Sequence, residues 1–440
     1  MSKLQSVWRR RLDDHGMLVV LILLCATLSV LTIEEREAHD PDSGRRMVEE
    51  LSARRAQPTV FLAADATADH DDFVVAVREA VEEAGGEVLA EIQGNPRETR
   101  QALESLLQSG QRPDAIMSVR TSDAWALLEA APSRYPELAD TEVLSPASQR
   151  RSTFLSQRNL LTVTEKIVVW AVIAIGVTLV IITAGIDLSV GSLVALSSVI
   201  TALLIQRCFG GVEASGFHVL LASLGGIAAC GLIGGVTGLL VTRFRVAPFI
   251  VTLGMMMAAS GLALRLTNGE SIDEVPASFG WLGHGKILGL PSSILLMLVL
   301  YAGAALMMSH TALGRAIYAV GGNPEAARLA GVPVARVLVF VYVVAGLLAG
   351  VGGVLTASTF ESGDPNFGQT YELFVIAAVV VGGTSLAGGE GRVMGTLVGA
   401  LILGVIYNGM NLLNVGAFSQ RIVLGAVILL AVVFDRLKRR

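Results

Sequence analysis

The chain reads as an all-α polytopic membrane protein of about ten transmembrane helices, with a small α/β domain of β-α-β-α-β order inserted after the first helix. Three observations predict this. The 440 residues are 52% hydrophobic and 16% charged, with a mean hydropathy of +0.62, far more apolar than a soluble globular average. Ten apolar runs approach a spanning length of about 17 to 25 residues. The charge is divided unevenly: residues 34 to 150 hold 24 of the 38 Asp and Glu but 12 of the 33 Lys and Arg, a local balance of −12 against +7 elsewhere. Two kinds of material are joined, with seams at Glu34 and near Arg150. The three cysteines sit in or beside apolar segments, which leaves no disulfide or zinc framework in the charged block.

The predicted spans, one to ten in order, are 17–33, 166–184, 188–206, 217–241, 246–266, 288–309, 337–357, 372–388, 393–411 and 418–434. Lys3 and Arg9 to Arg11 precede the first. Arg243 and Arg245 follow the fourth, Arg315, Arg328 and Arg336 the sixth, and Arg392 the eighth; Arg436 and Lys438 to Arg440 close the chain. With ten spans, all five clusters fall on one side, so the charge rule predicts cytoplasmic termini and an extracytoplasmic 34–150 block. A cleaved signal peptide is the alternative for the first span, but no small-x-small site follows Ile33 directly.

In the acidic block, "PTVFLAA" (58–64), "EVLAEI" (87–92) and "DAIMSV" (114–119) read as strands. Helical periodicity occupies 71–85 and 96–110, each ending on glycine, and a third helix is expected at 122–131. The alternation predicts a parallel sheet with right-handed crossovers. This pattern resembles one lobe of a sugar-type periplasmic binding protein over residues 57 to 145; a small α/β module that docks on something else is the other reading.

Two stretches carry candidate function. In "ITAGIDLSVGSLVAL" (182–196), an aspartate interrupts an apolar region, and such residues are expensive. Gly185 is expected to end one helix in the left-handed conformation, and Asp187 to cap the next, with Ser189 and Gly191 completing the break. Such a break needs protein or water around it, not lipid. In "GGNPEAARLAGVP" (321–333), Asn323 suits the N-cap, Pro324 the first helical position, Glu325 the positive end of the dipole and Gly331 the C′ position. The result is a two-turn helix over 324–330, too short to hold without a packing partner.

Glycine-rich stretches at 225–238, 345–355, 379–391 and 395–409 read as close helix packing. None ends in Gly-Lys-Ser/Thr, so no nucleotide site is expected in this chain. A proton or ion relay is not visible either, since Arg265, Glu372 and Glu390 all lie near span ends.

Glu325, Ala326 and Ala327, with Gly331 after three residues, resemble the EAA-and-glycine loop of ABC importer permeases, a coupling helix that sits in a groove of the ATP-binding subunit. "FLSQRNLLTV" (154–163), "GVTLVIITAGIDLSVGSLVAL" (176–196), "VAPFIVTLGMM" (246–256), "TALGRAIYAVGGNPEAARLAGV" (311–332) and "VVVGGTSLAGGEGRVMGTLVGALILGVIYNGMNLLNV" (379–415) are similar, in order and spacing, to the permease of ribose-type sugar ABC importers. The resemblance covers the first span and nearly all of 152–440, with a coupling loop at 310–336. It implies a non-enzymatic transport subunit in the inner membrane without a cofactor. Its implied partners are an ATP-binding subunit, a periplasmic solute-binding protein and a second permease copy within the bilayer, and not nucleic acid. Arg315, Arg328 and Glu325 become candidate groove contacts. Asn366, Phe367, Tyr371, Asn408 and Asn411 are candidates to face a hydroxylated solute, with helix–helix hydrogen bonding and interfacial anchoring as their alternative. Family members run from the first span straight into the stretch from Phe154 to Leu160, whereas this chain inserts over a hundred residues. An ion-coupled carrier, or a receptor sensing a solute through the outer domain, is the competing class.

Overall fold

The computed structural model describes residues 2–37, 41–66, 68–119 and 122–438, so Arg439 and Arg440 of the terminal basic cluster lie outside the described residues. The chain forms two compact units, Ile33–Thr153 and the remainder on either side of it.

The 33–153 unit is a doubly wound sheet. Strands β1 (Ile33–Glu37), β2 (Thr59–Ala64), β3 (Glu87–Gln93), β4 (Ala115–Ser118), β5 (Glu142–Leu144) and β6 (Ser148–Ser152) follow in order. The parallel sheet runs β3-β2-β4-β5, with the first of its strands buried in the middle. Strand alternation divides its core: Val60, Leu62 and Met117 pack with Val48, Leu51, Phe73 and Val77 of helices Pro41–Ser52 and Ala68–Glu83. Phe61, Ala63 and Ile116 face Leu103 and Leu106 of helix Pro96–Gln108. That helix carries a full capping box between Asn95 and Glu98. The helix expected at 122–131 is two short pieces, Trp125–Glu129 and Ala131–Arg134, because Ala131–Pro132 starts a new turn.

Four elements of this unit escape sequence reading. Strand β5 is three residues long, helix Pro41–Ser52 follows a polar lead-in, and β1 and β6 are charged rather than alternating. β1 and β6 pair antiparallel, with Glu34 in register with Arg151 and Glu35 with Arg150. At the start of β4, Asp114 accepts from the Thr59 N–H at 2.9 Å and the Thr59 hydroxyl at 2.8 Å, and it pairs with Arg55. Partial burial opposes the charge, but those donors outweigh it and hold the carboxyl below its ordinary range.

In the second unit seven helices among the described residues are long and apolar enough to span: Gln157–Ile182, Val190–Cys208, Gly216–Arg243, Pro248–Thr267, Ser292–His310, Val334–Phe360 and Val393–Leu412. Three shorter apolar helices, Gly16–Leu31, Tyr371–Val381 and Ala417–Leu430, complete the expected ten runs. The second span is the axis. Ala171, Val172, Ile175 and Leu179 enter one core cluster, and Ile173, Ala174, Val177 and Ile181 the other. Small residues let spans approach: a Cβ on Gly176 would lie 2.6 Å from the Ala345 Cα, so the second and seventh spans meet almost backbone to backbone. The stretch 382–391 departs from expectation. It is a loop with Gly383, Gly388 and Gly389 at positive φ, so these glycines serve turns and not helix packing.

Candidate functional site

The polar loop after the sixth span forms two short helices. Thr311 caps Ala312–Gly322 by accepting from the Gly314 N–H at 3.1 Å. Asn323 then caps Pro324–Leu329, accepting from Glu325 and Ala326 N–H at 3.0 Å each. Ala330 is the C-cap, and Gly331 takes φ +85° while Val332 N–H returns to the Ala327 carbonyl, the closing bond of a Schellman turn. One side of the helix is anchored through buried Ala327, while Leu329 is 88 % exposed. Glu325 and Arg328 pair with each other at 2.6 Å on the exposed side. Arg315 is exposed on the preceding helix. The loop thus offers solvent a small helix with an apolar tip and a balanced charge pair.

This loop rests on the membrane break. Gly321 lies against the end of the second span so closely that any side chain there would overlap the Ile182 carbonyl. The same carbonyl accepts from the Gly389 N–H at 2.8 Å, and Tyr318 donates its hydroxyl to the Gly391 carbonyl at 2.7 Å. Three stretches that are distant in sequence therefore meet backbone to backbone: the loop 318–322, the break beginning at Ile182, and the loop 388–391. Sequence reading missed this contact, because glycine pairs in an apolar protein look like helix packing.

The break runs from Thr183 to Ser189. The left-handed residue is Ala184, at φ +60°, and not Gly185. Gly185 instead gives its N–H to the Val180 carbonyl and passes close to Tyr342, whose hydroxyl would lie 2.7 Å from a Cβ there. Close approach, not handedness, requires the glycine. Asp187, 2 % exposed, accepts from the Ser189 N–H at 2.9 Å and the Ser189 hydroxyl at 2.6 Å. It therefore stabilises the linker itself, one turn before the helix Val190–Cys208, rather than that helix's free N–H groups. Thr252 of the fifth span donates to the Ile186 carbonyl at 3.1 Å. The Tyr342 hydroxyl is buried without a hydrogen-bond partner among the described residues.

A second interruption faces the first. Between Phe360 and Tyr371 the chain is non-helical, and its contacts follow the third span: Ser198 donates to the Asp364 carbonyl at 3.3 Å, and Gly368 packs on Gly191. Neither Gly191 nor Gly368 tolerates a Cβ, since each would overlap the other's carbonyl oxygen. At 1.5 Å per residue, Gly191 lies about 25 Å along its helix from Cys208, so this segment reaches deep into the spanning layer before the helix Tyr371–Val381 begins. The eighth predicted span is therefore half unwound. An apolar run of the right length hid this: only 372–381 of it is helical, with non-helical segments at 361–370 before it and from Gly382 within it.

The candidate path residues separate. Asn366 is exposed, with its N–H and amide on Asp364 Oδ1 at 2.7 and 3.0 Å; Phe367 packs on Phe360 at a ring separation of 5.2 Å. Tyr371 stands edge-on to Trp170 at 6.0 Å, and Trp170 is itself stacked on Phe374 at 4.7 Å. Asn408 is buried and bonded reciprocally to Asn159 at 2.9 and 3.1 Å, and Asn411 accepts from Gln420 at 2.9 Å. These last two are spent on ties between helices. Glu372, set aside in the sequence as lying near a span end, places its carboxylate against Gly191.

Comparison with known proteins agrees with this architecture. A family model described as branched-chain amino acid transport system / permease component matches residues 159–432. The chain is 44% identical to the ribose import permease of Escherichia coli (strain K12) over 306 residues, 69% of this chain and 91% of that one. It is 42% identical to the ribose import permease of Bacillus subtilis (strain 168) over 288 residues, 65% and 87% of the two chains. It is 39% identical to an L-arabinose ABC transporter permease of Azospirillum brasilense over 286 residues, 65% and 82%. No solved structure matches.

Proposed function

The chain belongs to the permease component family of branched-chain amino acid and ribose-type ABC importers, and on that premise we propose that it passes a monosaccharide such as ribose or arabinose through the inner membrane. It is a multi-pass membrane transport subunit and not itself an enzyme. Family membership implies an ATP-binding partner and a solute-binding protein; a second permease copy completes the proposed assembly.

One observation carries the mechanism: the capped helix 324–329 belongs to a loop whose Gly321 touches the end of the second span where the break begins. The helix is the strut that the ATP-binding subunit pushes, with Arg315, Glu325 and Arg328 at the groove. Rigid movement of the loop shifts Ile182 and the 388–391 loop together, because the three share backbone contacts. The break at Gly185, Asp187, Ser189 and Gly191 then rearranges between two states. In this reading both termini and the 310–336 loop are cytoplasmic, and residues 34–150 are extracytoplasmic, as the arginine clusters predict.

The insert lies, by the same orientation, on the side where a binding protein delivers its solute. Its doubly wound order supports the role of a captive docking or gating module. Deleting 36–150 should lower uptake or relax its dependence on the binding protein; unchanged uptake and unchanged dependence would remove this role.

The direct test is reconstitution in vesicles with an ATP-binding subunit and a solute-binding protein. The expected outcome is uptake of ribose or arabinose that requires ATP and persists when ion gradients are collapsed. Uptake by the single chain, driven by an ion gradient, would contradict the proposal.

A further inference from the structure

The non-helical segment 361–370 exposes Asn366, Gln369 and Thr370 along one side while it descends beside the third span. Gln369 donates to Asn366 Oδ1 at 3.1 Å, and Asn366 in turn donates to Asp364 Oδ1, so the strip is a connected polar ladder. Glu372 follows two residues on, half-buried with its carboxylate beside Gly191, and has no lysine or arginine in ion-pair contact among the described residues. Unpaired polar backbone and amide side chains cannot face hydrocarbon, where each unsatisfied group costs several kcal/mol. A carboxylate is costlier still. An exposed polar strip at this depth is therefore covered by water, by what travels through it or by a partner subunit, and its one-residue-wide run of amides and hydroxyl suits the first two.

Resting on the importer reading, we propose that Asn366, Gln369, Thr370 and Glu372 form the solute-facing strip of the path, and that Glu372 selects neutral polyhydroxylated solutes. The chemistry fits that class. A carboxyl and amide oxygens accept hydrogen bonds from hydroxyl groups, while the strip offers no cation to hold anions such as sugar phosphates and carboxylates. The aromatic group of Trp170, Tyr371 and Phe374 fixes the start of the helix Tyr371–Val381 and hence the position of Glu372.

Two measurements on the full complex in vesicles test this. In a Cys25→Ser, Cys208→Ser background, Asn366→Cys and Gln369→Cys should react with a membrane-impermeant methanethiosulfonate, and ribose delivered by the binding protein should slow the reaction. Inert cysteines would overturn the proposal, since lipid or protein would then cover the strip. In the second, Glu372→Gln should lower ribose moved per ATP hydrolysed at least tenfold, and should narrow the preference for ribose over 2-deoxyribose. An equal fall in uptake and hydrolysis with preference unchanged would overturn it, because that pattern marks a folding or coupling role. Failure of the unmodified complex to take up any sugar with ATP, while the two cysteines still react, would sink the importer reading and the sugar assignment, and leave the strip as an aqueous surface.

Discussion

Asn323 supplies one side-chain oxygen to two N–H groups that would otherwise be left to water at the start of the helix 324–329. Replacing it with alanine should cost about 1 kcal/mol of helix stability. If the ATP-binding partner requires the folded helix, its affinity should drop about fivefold, with Asn323→Asp restoring most of it; titration of the purified partner would report both. Asp114 gives a pH-dependent prediction in the other unit. Its carboxyl is held below the ordinary value, so its contribution is complete above that value and is lost as pH falls through the lowered one. Hydrogen-exchange protection factors at β2 and β4, taken against the intrinsic rate at each pH, should therefore fall below about pH 4, and Asp114→Asn should flatten that limb. Tyr342→Phe removes a buried hydroxyl that lacks a partner, and should raise thermal stability or leave it unchanged. A loss above about 1 kcal/mol would mean that the hydroxyl is bonded in the resting state. At this scale much was legible: Asn323 and Gly331 carry caps whose chemistry is local. Gly185 was not, because its reason is Tyr342, more than a hundred residues away.

The ten apolar runs of the membrane unit were readable as elements because span length is set by the bilayer and not by tertiary partners. The insert's buried strands were readable for a similar reason: β2 is an unbroken apolar run between turn signals. What could not be read were the two interruptions and their meeting at Gly191 and Gly368, because that fit is made between segments and leaves no periodicity in either one. This pair supports a prediction about the element. Gly191→Val should force the third span from the 361–370 segment and reduce uptake more than tenfold, an order of magnitude set by overpacking costs of about 1–3 kcal/mol. The complex should still retain its ATP-binding partner, since the capped loop lies on the far side of the break. Loss of the partner in the same variant, read by co-purification, would mean that the break and the loop do not transmit as separate parts.

The molecule joins a transport unit to a doubly wound module whose ends are close at hand: the Phe154 N–H donates to the Thr32 hydroxyl at 3.2 Å, so the transport unit closes behind the insert. Because those flanks meet without the insert, deleting 36–150 should leave the membrane unit folded, which makes the deletion a fair test of the module's role. In the proposed mechanism a capped loop helix takes force from an ATP-binding subunit and hands it to a membrane break through glycine contacts. The most direct measurement is purification of the tagged chain in mild detergent beside a Glu325→Lys, Gly331→Trp variant. Lysine reverses the charge that suits the helix start, and tryptophan cannot easily take φ +85°. Stoichiometric recovery of an ATP-binding subunit with the unmodified chain, and its loss with the variant, is the predicted result. Recovery of the well-folded chain alone in both cases would contradict the account.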